Sequence, residues 1–589
     1  MMKLLFVTLA VAAAANDGTY SIKFLSNVAQ SSCELIKPLG LTQLHRGIHG
    51  INDTLEEVAP RQNKQSVDEI RRNDLLGSQL LIEVFGGGAD AVQARANVLC
   101  PNGMITRKTK NLRADSVSVR AATIQKIVDS GDPKNRIDVV FMGDGYTASE
   151  QAKFFGDIQR LTTDMFTGNT FAQYLPLFNI WASYVPSVQS GVGVGGTPLN
   201  TAFGLYRDGT ELRAVYTSKP DVARSVCAQT GALACDFPAL IANDDFYGGL
   251  GGEFVIATRS PTTGTMVLRH EMGHNFGKVG EEYDGGQVYS GANSARTAKA
   301  VPWKHWLTEP TKLTEQKWAQ LYQKHIWHDL KTGAYTIDFT SSGTYKRWYI
   351  VLSVSGTDTQ DSLSVTLDGK PLVWTTKGVK DRTFYTWSSN TAGFTAGAHK
   401  LVVKAGGAFT GPIIKQLCNA QVAEYASEAE YHQDGDYIGV YPTYDLNKAK
   451  SFRPNSEKCL MRNMTSAEFC SPCQENMWQQ FLTRVSVIDN VIVTGKKVAL
   501  KLIPLAQLRL PTDLFVQANP KVAAAEKYST QWFNNGKEVV QFRNLFSVDT
   551  STVATTTNAW TVSVQFSTPN VRLDPKNVLK ATKAFTVPR

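Results

Sequence analysis

Hydrophobic and polar positions alternate with different periods along the chain and divide it into β-rich and mixed segments. Short alternating runs, such as residues 79–85, predict a small β-rich domain over residues 18–125. An almost continuous apolar run at 137–142 is followed by glycines and by a capped helix start at 147–150, which is typical of an α/β domain. The pattern therefore predicts that an α/β domain begins near residue 130.

Beyond residue 330 the pattern becomes one of short strands separated by turn residues. Strand-like runs at 348–354 and 363–367 recur at the intervals of a β-sandwich, and we predict an inserted sandwich over residues 330–415. A further strand-rich segment, residues 490–589, predicts a C-terminal β-sandwich of immunoglobulin-like type. The chain is thus expected to be a multidomain protein in which two sandwiches accompany the α/β domain.

The composition indicates a folded protein and argues against nucleic acid as a partner. The chain has 589 residues, of which 42% are hydrophobic and 19% are charged, and this is enough to bury several cores. Its net charge of +9 is spread thinly, without the run of lysines and arginines that would follow a phosphate backbone.

The first residues have the pattern of a secretory signal peptide. Lys3 precedes an apolar stretch from residue 4 to 15, and Ala13 and Ala15 fit the small-residue rule of signal peptidase. We therefore expect residues 1–15 to be removed and the mature protein to be secreted and extracellular. No later segment of the sequence approaches the roughly 18 apolar residues that a membrane span requires, so no membrane span is expected.

Eight cysteines and two sequons fit an extracellular protein. An even number of cysteines favours structural disulfides in an oxidising compartment. Cys470 and Cys473 have the spacing of a redox dithiol or of half a zinc site, but the sequence has no second pair of this kind. Asn52 and Asn463 open Asn-x-Thr sequons and are predicted glycosylation sites.

The segment from His270 to Tyr283 carries recognisable chemistry. His270 and His274 stand four residues apart in a stretch that is predicted to be a helix over residues 262–276. Two imidazoles at this spacing project from one face and can bind one zinc ion, and Glu271 lies beside the open position where a water molecule would be activated. The arrangement predicts hydrolysis of a peptide bond with Glu271 as the general base.

The third zinc ligand does not follow from the spacing. Gly280 stands where a metzincin would have its third histidine, and two acids, Glu281 and Glu282, come next. Either carboxylate can reach the metal if the chain reverses at Gly277. We favour Glu281, with Glu282 as the alternative and a distant ligand such as His305 as the remaining possibility. The unused acid would hydrogen-bond a ligand histidine or lie on the surface.

These residues resemble the IgA-peptidase family of secreted zinc metallopeptidases. The motif His-Glu-x-Gly-His-x-Phe-Gly, followed by Glu281-Glu282-Tyr283, is similar to that family's motif, although the family usually has Asp where this chain has Glu281. Further similar segments lie at residues 137–147, 178–181, 303–306, 452–462 and 469–473.

The resemblance implies a zincin-type, metzincin-like catalytic domain in two parts, residues 130–329 and 416–488, separated by the inserted sandwich. It implies that His270, His274 and an acidic residue hold zinc. It also implies that Met461 belongs to a methionine turn beneath the metal.

We therefore predict a secreted zinc-dependent endopeptidase that cleaves extracellular proteins or peptides. A hydrogen-bond donor to the oxyanion is also expected, and the candidates are Tyr283, Tyr437, Tyr441 and His305. Two alternatives remain: a carbohydrate-binding or adhesive multi-sandwich protein with an inactive peptidase domain, and a zinc amidohydrolase acting on non-peptide amides. The inserted sandwich is the expected place of any glycan contact.

Overall fold

The computed structural model describes most of the chain from residue 121 onward and several short stretches before it. The described residues are 19–27, 32–42, 67–73, 80–86, 93–94, 96–98, 100, 104–105, 121–231, 233–407 and 414–588. The predicted signal peptide, residues 1–15, and the sequon at Asn52 lie outside them. The chain divides into two compact units, which are Met1–Ile48 with Asn52–Ser118, and His49–Ile51 with Val119–Arg589.

The described strands of the first unit form one sheet. They are β1 (Thr19–Asn27), β2 (Ser32–Thr42), β3 (Val67–Asn73), β4 (Leu80–Gly86) and β5 (Met104–Ile105). The sheet order is β3-β4-β1-β2-β5, and every neighbouring pair is antiparallel except β2 and β5. These strands lie within residues 18–125, where the alternating pattern predicts a β-rich domain.

The second unit opens with an α/β sheet. Its strands are β6 (Thr123–Val128), β7 (Ile137–Asp144), β8 (Phe178–Tyr184), β9 (Leu205–Tyr206), β10 (Tyr216–Thr217), β11 (Phe237–Ala242), β12 (Gly249–Leu250) and β13 (Val255–Thr258). β9 and β10 pair as a hairpin, and the others form a sheet in the order β12-β13-β11-β7-β8-β6. The four central strands run parallel, whereas β6 and β12 are antiparallel edge strands.

Helices cover both faces of this sheet, which explains the continuous apolar run in β7. The helices are α1 (Gln151–Met165), α2 (Pro220–Cys227), α3 (Gly264–Gly277) and α4 (Ser471–Arg484). On one face Val139 shares a core with Ile158 of α1, and on the other Val140 shares a core with Val226 of α2. Parallel strands covered on both sides bury successive residues alternately on the two faces, so all of β7 is buried.

Helix α3 begins two residues later than the sequence indicates. The Ser260 hydroxyl accepts hydrogen bonds from the backbone N–H groups of Thr262 and Thr263, at 3.2 and 3.0 Å, and holds these residues in a turn before the helix. The helix ends at Gly277, and Lys278 then adopts a left-handed conformation with φ of 53°. This residue reverses the chain toward the acidic pair.

The inserted segment is a two-layer sandwich with its own core. Its strands are β14 (Trp318–Asp329), β15 (Tyr335–Ser341), β16 (Arg347–Val354), β17 (Leu363–Leu367), β18 (Lys370–Pro371), β19 (Thr383–Ser389), β20 (Gly397–Ala405) and β21 (Gln416–Tyr425). The sheets are β14-β21-β16-β19 and β15-β20-β17-β18. The strands extend beyond residues 330–415 at both ends because β14 and β21 pair antiparallel from Trp318 opposite Tyr425.

The remaining elements follow the sandwich. They are β22 (Tyr441–Tyr444), β23 (Lys450–Arg453), β24 (Ile488–Thr494), β25 (Lys497–Leu502), helices α5 (Leu514–Ala518) and α6 (Pro520–Ala525), β26 (Lys527–Asn534), β27 (Lys537–Glu538), β28 (Ser547–Asp549), β29 (Ala559–Ser567) and β30 (Lys580–Thr586). The C-terminal sheets are β24-β25-β28 and β27-β26-β29-β30.

The C-terminal sheets share the core of the α/β part. Trp478 of α4 and Phe566 of β29 have ring centroids 5.1 Å apart and belong to one buried cluster. The C-terminal segment is therefore packed directly on the helix that supports α3. Among the described residues, no helix combines the length and apolar character needed to cross a membrane.

Candidate active site

Two histidines on α3 form the centre of the site. The i and i+4 spacing places His270 and His274 on one face of the helix, with their Nε2 atoms 3.3 Å apart. Both side chains are buried. Two ring nitrogens so close together can share a proton or bind the same cation.

Backbone carbonyls fix the orientation of both rings. Nδ1 of His270 lies 3.3 Å from the Leu460 carbonyl oxygen, and Nδ1 of His274 lies 2.7 Å from the Val279 carbonyl oxygen. Because a carbonyl oxygen only accepts, each Nδ1 carries a proton and donates it. In a neutral imidazole this leaves the Nε2 lone pair free to bind a metal.

Glu281 completes the group, whereas Glu282 points elsewhere. One carboxylate oxygen of Glu281 lies 3.1 Å from Nε2 of His270, and the other lies 3.3 Å from Nε2 of His274. Glu282 instead accepts a hydrogen bond from Asn293 and lies beside Cys473. His305, the alternative distant ligand, pairs instead with Glu475 of α4 and lies away from the two histidines.

The donor atoms of the group are close enough together for one zinc ion. The two Nε2 atoms are 3.3 Å apart, and each lies 3.1 or 3.3 Å from a different oxygen of the Glu281 carboxylate. Tetrahedral coordination with bonds of about 2.0–2.1 Å requires donors about 3.3–3.4 Å apart. His270, His274 and Glu281 could therefore hold one metal ion together, and the fourth position of a tetrahedral ion would be left to water or a substrate group.

The electrostatics of the site follow from burial and from this contact. Burial opposes protonation of His274, but the Glu281 carboxylate outweighs it and raises the pKa of His274 to about 9. Burial also disfavours the charged form of Glu271, which for a carboxylate raises the pKa, although the two histidines oppose the rise. A carboxylate with a raised pKa is a stronger proton acceptor, which suits Glu271 to a general base.

A turn formed by residues 459–462 supports the site from below. Met461 is fully buried, and a Cβ atom on Gly273 would lie 2.9 Å from its sulfur, so the helix passes close to this side chain. The Met461 carbonyl accepts a hydrogen bond of 3.0 Å from the backbone N–H of Glu282. The turn thus contacts both the helix and the acidic pair.

Residues 125–334 match the model of the IgA peptidase M64 family. Over this segment the chain is similar to that family. The matched segment runs from β6 to the loop after β14 and includes α3 and the acidic pair, so the family resemblance drawn from the sequence motifs is confirmed. A peptidase is the activity that the family description names. Two groups of the described residues could hold a metal ion, which agrees with the metallopeptidase character of the family.

The other comparisons add little to the match with the peptidase family. No curated protein matches the chain. A ruminal GH26 endo-beta-1,4-mannanase matches with 12% identity over 36% of this chain and 35% of that one, with a TM-score of 0.12. A GH2 beta-galacturonidase from Eisenbergiella tayi bound to glycerol matches with 8% identity over 43% and 35%, also with a TM-score of 0.12. The chain spans about a third of the length of these structures, and such low scores say nothing about its fold or activity.

Only one of the four oxyanion candidates contacts the histidine pair of the peptidase domain. The Tyr283 ring centroid lies 6.1 Å from that of His270, and the side chain is half-buried. Tyr437 donates to Glu309 and Tyr441 donates to the His432 carbonyl, so both hydroxyls are engaged elsewhere. Burial and the nearby Glu281 raise the pKa of Tyr283, which keeps its hydroxyl protonated as a donor.

No sequence motif indicated that the inserted sandwich reaches the site. The His325 ring of β14 lies 6.5 Å from Tyr283, and burial together with Arg382 lowers the pKa of His325 to about 4. The Arg382 guanidinium lies 4.2 Å from the ring centroid of Tyr247. These side chains come from segments outside the motif blocks, so only tertiary contacts bring them to the peptidase domain.

Proposed function

We propose that this protein is a secreted zinc-dependent endopeptidase that hydrolyses peptide bonds of extracellular proteins. The observation that carries the proposal is the triangle formed by His270, His274 and Glu281, with Glu271 next to His270 on the same helix. The donor set of two imidazoles and one carboxylate is that of catalytic zinc sites, and the open corner leaves room for substrate.

In this proposal the chain's own groups orient the reactants and move the proton. When bound, zinc supplies Lewis acidity for a carbonyl oxygen and for a water molecule. Glu271 takes a proton from the attacking water and later delivers it to the leaving amine. The half-buried Tyr283 donates a hydrogen bond to the oxygen that gains negative charge.

Secretion and glycosylation belong to the same proposal. The signal-like residues 1–15 support secretion, and the disulfide between Cys227 and Cys235 suits an oxidising compartment. Asn463 is partly exposed, although its side-chain oxygen accepts hydrogen bonds from Thr465 in the same sequon. We propose this asparagine as a glycan site.

Cleavage of a peptide library tests the proposal. The zinc-loaded protein should cleave internal peptide bonds, a chelator should abolish cleavage, and added zinc should restore it. Folded, zinc-loaded protein that cleaves neither the library nor denatured casein would contradict the proposal and favour the binding-protein alternative. Cleavage of small acyl amides alone would favour the amidohydrolase.

A further inference from the structure

A second cluster of metal-ligating side chains lies behind the acidic pair. Cys459, Cys470, Cys473 and Glu282 are all buried, and their ligand atoms lie within 4.8 Å of one another. Cys459 comes from the turn that contains Met461, and the other two cysteines come from the start of α4. The cluster thus joins three segments that are far apart in the sequence.

The spacing of these atoms fits tetrahedral coordination better than a disulfide. The sulfurs of Cys459 and Cys473 are 3.9 Å apart, and the Cys473 sulfur lies 3.6 Å from a Glu282 oxygen. Zinc–sulfur bonds of about 2.3 Å place tetrahedral ligands about 3.8 Å apart. A disulfide would require sulfurs at about 2.05 Å, and all three cysteines are free.

Glu282 supplies an independent sign of a missing partner. Its side chain is 0% exposed. Oε1 accepts a hydrogen bond of 2.9 Å from the Asn293 amide, but Oε2 has no hydrogen-bond partner. Leaving a buried carboxylate oxygen without a partner is costly, and a cation would supply one.

We propose that Cys459, Cys470, Cys473 and Glu282 bind a structural zinc ion, distinct from the ion of the histidine site. Three thiolates select a thiophilic metal such as zinc, and four protein ligands close the coordination sphere, which is typical of structural zinc. The N-terminus of α4, where Cys470 is the cap residue, and the nearby Arg453 offset part of the negative charge.

The second ion orders the histidine site without taking part in its chemistry. Glu282 follows Glu281 directly, so fixing the Glu282 carboxylate restricts the backbone that presents Glu281 to the histidines. The same ion fixes the turn whose Leu460 carbonyl orients His270. This inference does not depend on peptidase activity, because metal content and spectra report it directly.

Metal analysis of the full chain, purified with zinc and without oxidant, tests the inference. The protein should hold close to two zinc ions per chain. The double variant His270→Ala/His274→Ala should retain only the ion of the cysteine cluster. Cys473→Ser should lose that ion. Cys418→Ser is the matched control, because Cys418 is also a buried free cysteine but lies in β21, outside the cluster, and this variant should retain both ions.

Cobalt substitution keeps the test decisive if Cys473→Ser fails to fold. The double histidine variant with Co²⁺ should show intense sulfur-to-cobalt charge-transfer absorption. Thiol titration of its metal-free form in denaturant should count four reduced thiols, which are those of Cys459, Cys470 and Cys473 together with Cys418. A double variant that binds no metal, or a disulfide between any two of these cysteines found by peptide mass spectrometry, would overturn the inference. Either result would leave the histidine site and its proposed activity unaffected.

Discussion

The Asp381 carboxylate of the inserted sandwich accepts a hydrogen bond from the Ser260 hydroxyl 2.6 Å away, in the turn before α3. The same carboxylate accepts hydrogen bonds of 2.5 Å from the Thr263 hydroxyl and from the backbone N–H of Tyr247. Asp381 is buried, and its negative charge lies at the positive end of the α3 dipole. The insert therefore helps to hold the helix that carries His270.

Replacing Asp381 with asparagine should destabilise the protein. The amide oxygen accepts these hydrogen bonds more weakly than a carboxylate, and the amide NH2 group adds two donors where the neighbouring groups are themselves donors. Loss of charge-assisted hydrogen bonds at a buried site costs about 1.5–3 kcal/mol. Urea unfolding should show the loss. Asp338→Asn, at an exposed position of strand β15 in the same sandwich, should have little effect. Equal stability of Asp381→Asn and wild type would contradict this role, as would a fully active protein lacking residues 330–415.

Glu271→Gln should retain zinc and lose activity. The three proposed ligands stay intact, but the amide cannot accept the proton of the attacking water, and general-base catalysis contributes about 10²–10⁴-fold. Zinc analysis beside a peptide assay measures both effects. Glu315→Gln, which removes an acid that pairs with Lys450 away from the histidines, is the control and should remain active. A fully active Glu271→Gln protein would disprove the assignment of the base.

Glu281→Gln should weaken zinc binding at the histidine site, because a neutral amide replaces an anionic ligand. The loss should exceed the roughly 10–100-fold that removal of an outer-shell partner costs. Glu281→Asp should retain most affinity, since the carboxylate remains. Competition with a chromophoric chelator measures the affinity. The assignment would be reversed if Glu281→Gln bound zinc normally at this site while Glu282→Gln did not.

The Arg136–Asp489 ion pair should make stability depend on pH in strongly acidic solution. Burial raises the pKa of Asp489, but hydrogen bonds from Arg136 and Asn135 outweigh it and hold the pKa below its ordinary value of 3.8. A carboxylate with a lowered folded-state pKa stabilises the protein above the unfolded-state pKa, and this contribution disappears as the pH falls through the folded-state pKa.

Asp489→Asn should therefore be less stable than wild type by about 1.5–3 kcal/mol at pH 7, and the gap should close only below about pH 4. Chemical unfolding at several pH values measures this. Glu538→Gln, which removes an exposed pair with Arg543, should show a much smaller change. A gap that persists unchanged well below the folded-state pKa would mean that the pair does not cause it.

Local sequence determined the parts of the protein that depend on periodicity and spacing. The four-residue spacing of His270 and His274 places both imidazoles on one helix face, whatever surrounds the helix. Alternating apolar residues likewise predicted strands in the inserted sandwich and in the C-terminal segment. The motif around α3 identified the family, which the match over residues 125–334 confirms.

Tertiary structure alone decided which groups meet. Glu281 and Glu282 are chemically identical neighbours, and the chain reversal after Lys278 directs one carboxylate to the histidines and the other to three cysteines. In the sequence, Cys470 and Cys473 had only the spacing of half a zinc site, because Cys459 and Glu282, which lie beside them in the fold, belong to other segments. Asp381 carries no sequence signal, since its role depends on a contact across more than a hundred residues. The spacing of residues along the chain determines where side chains point only within one helix or strand. Long-range packing determines which helices and strands are neighbours.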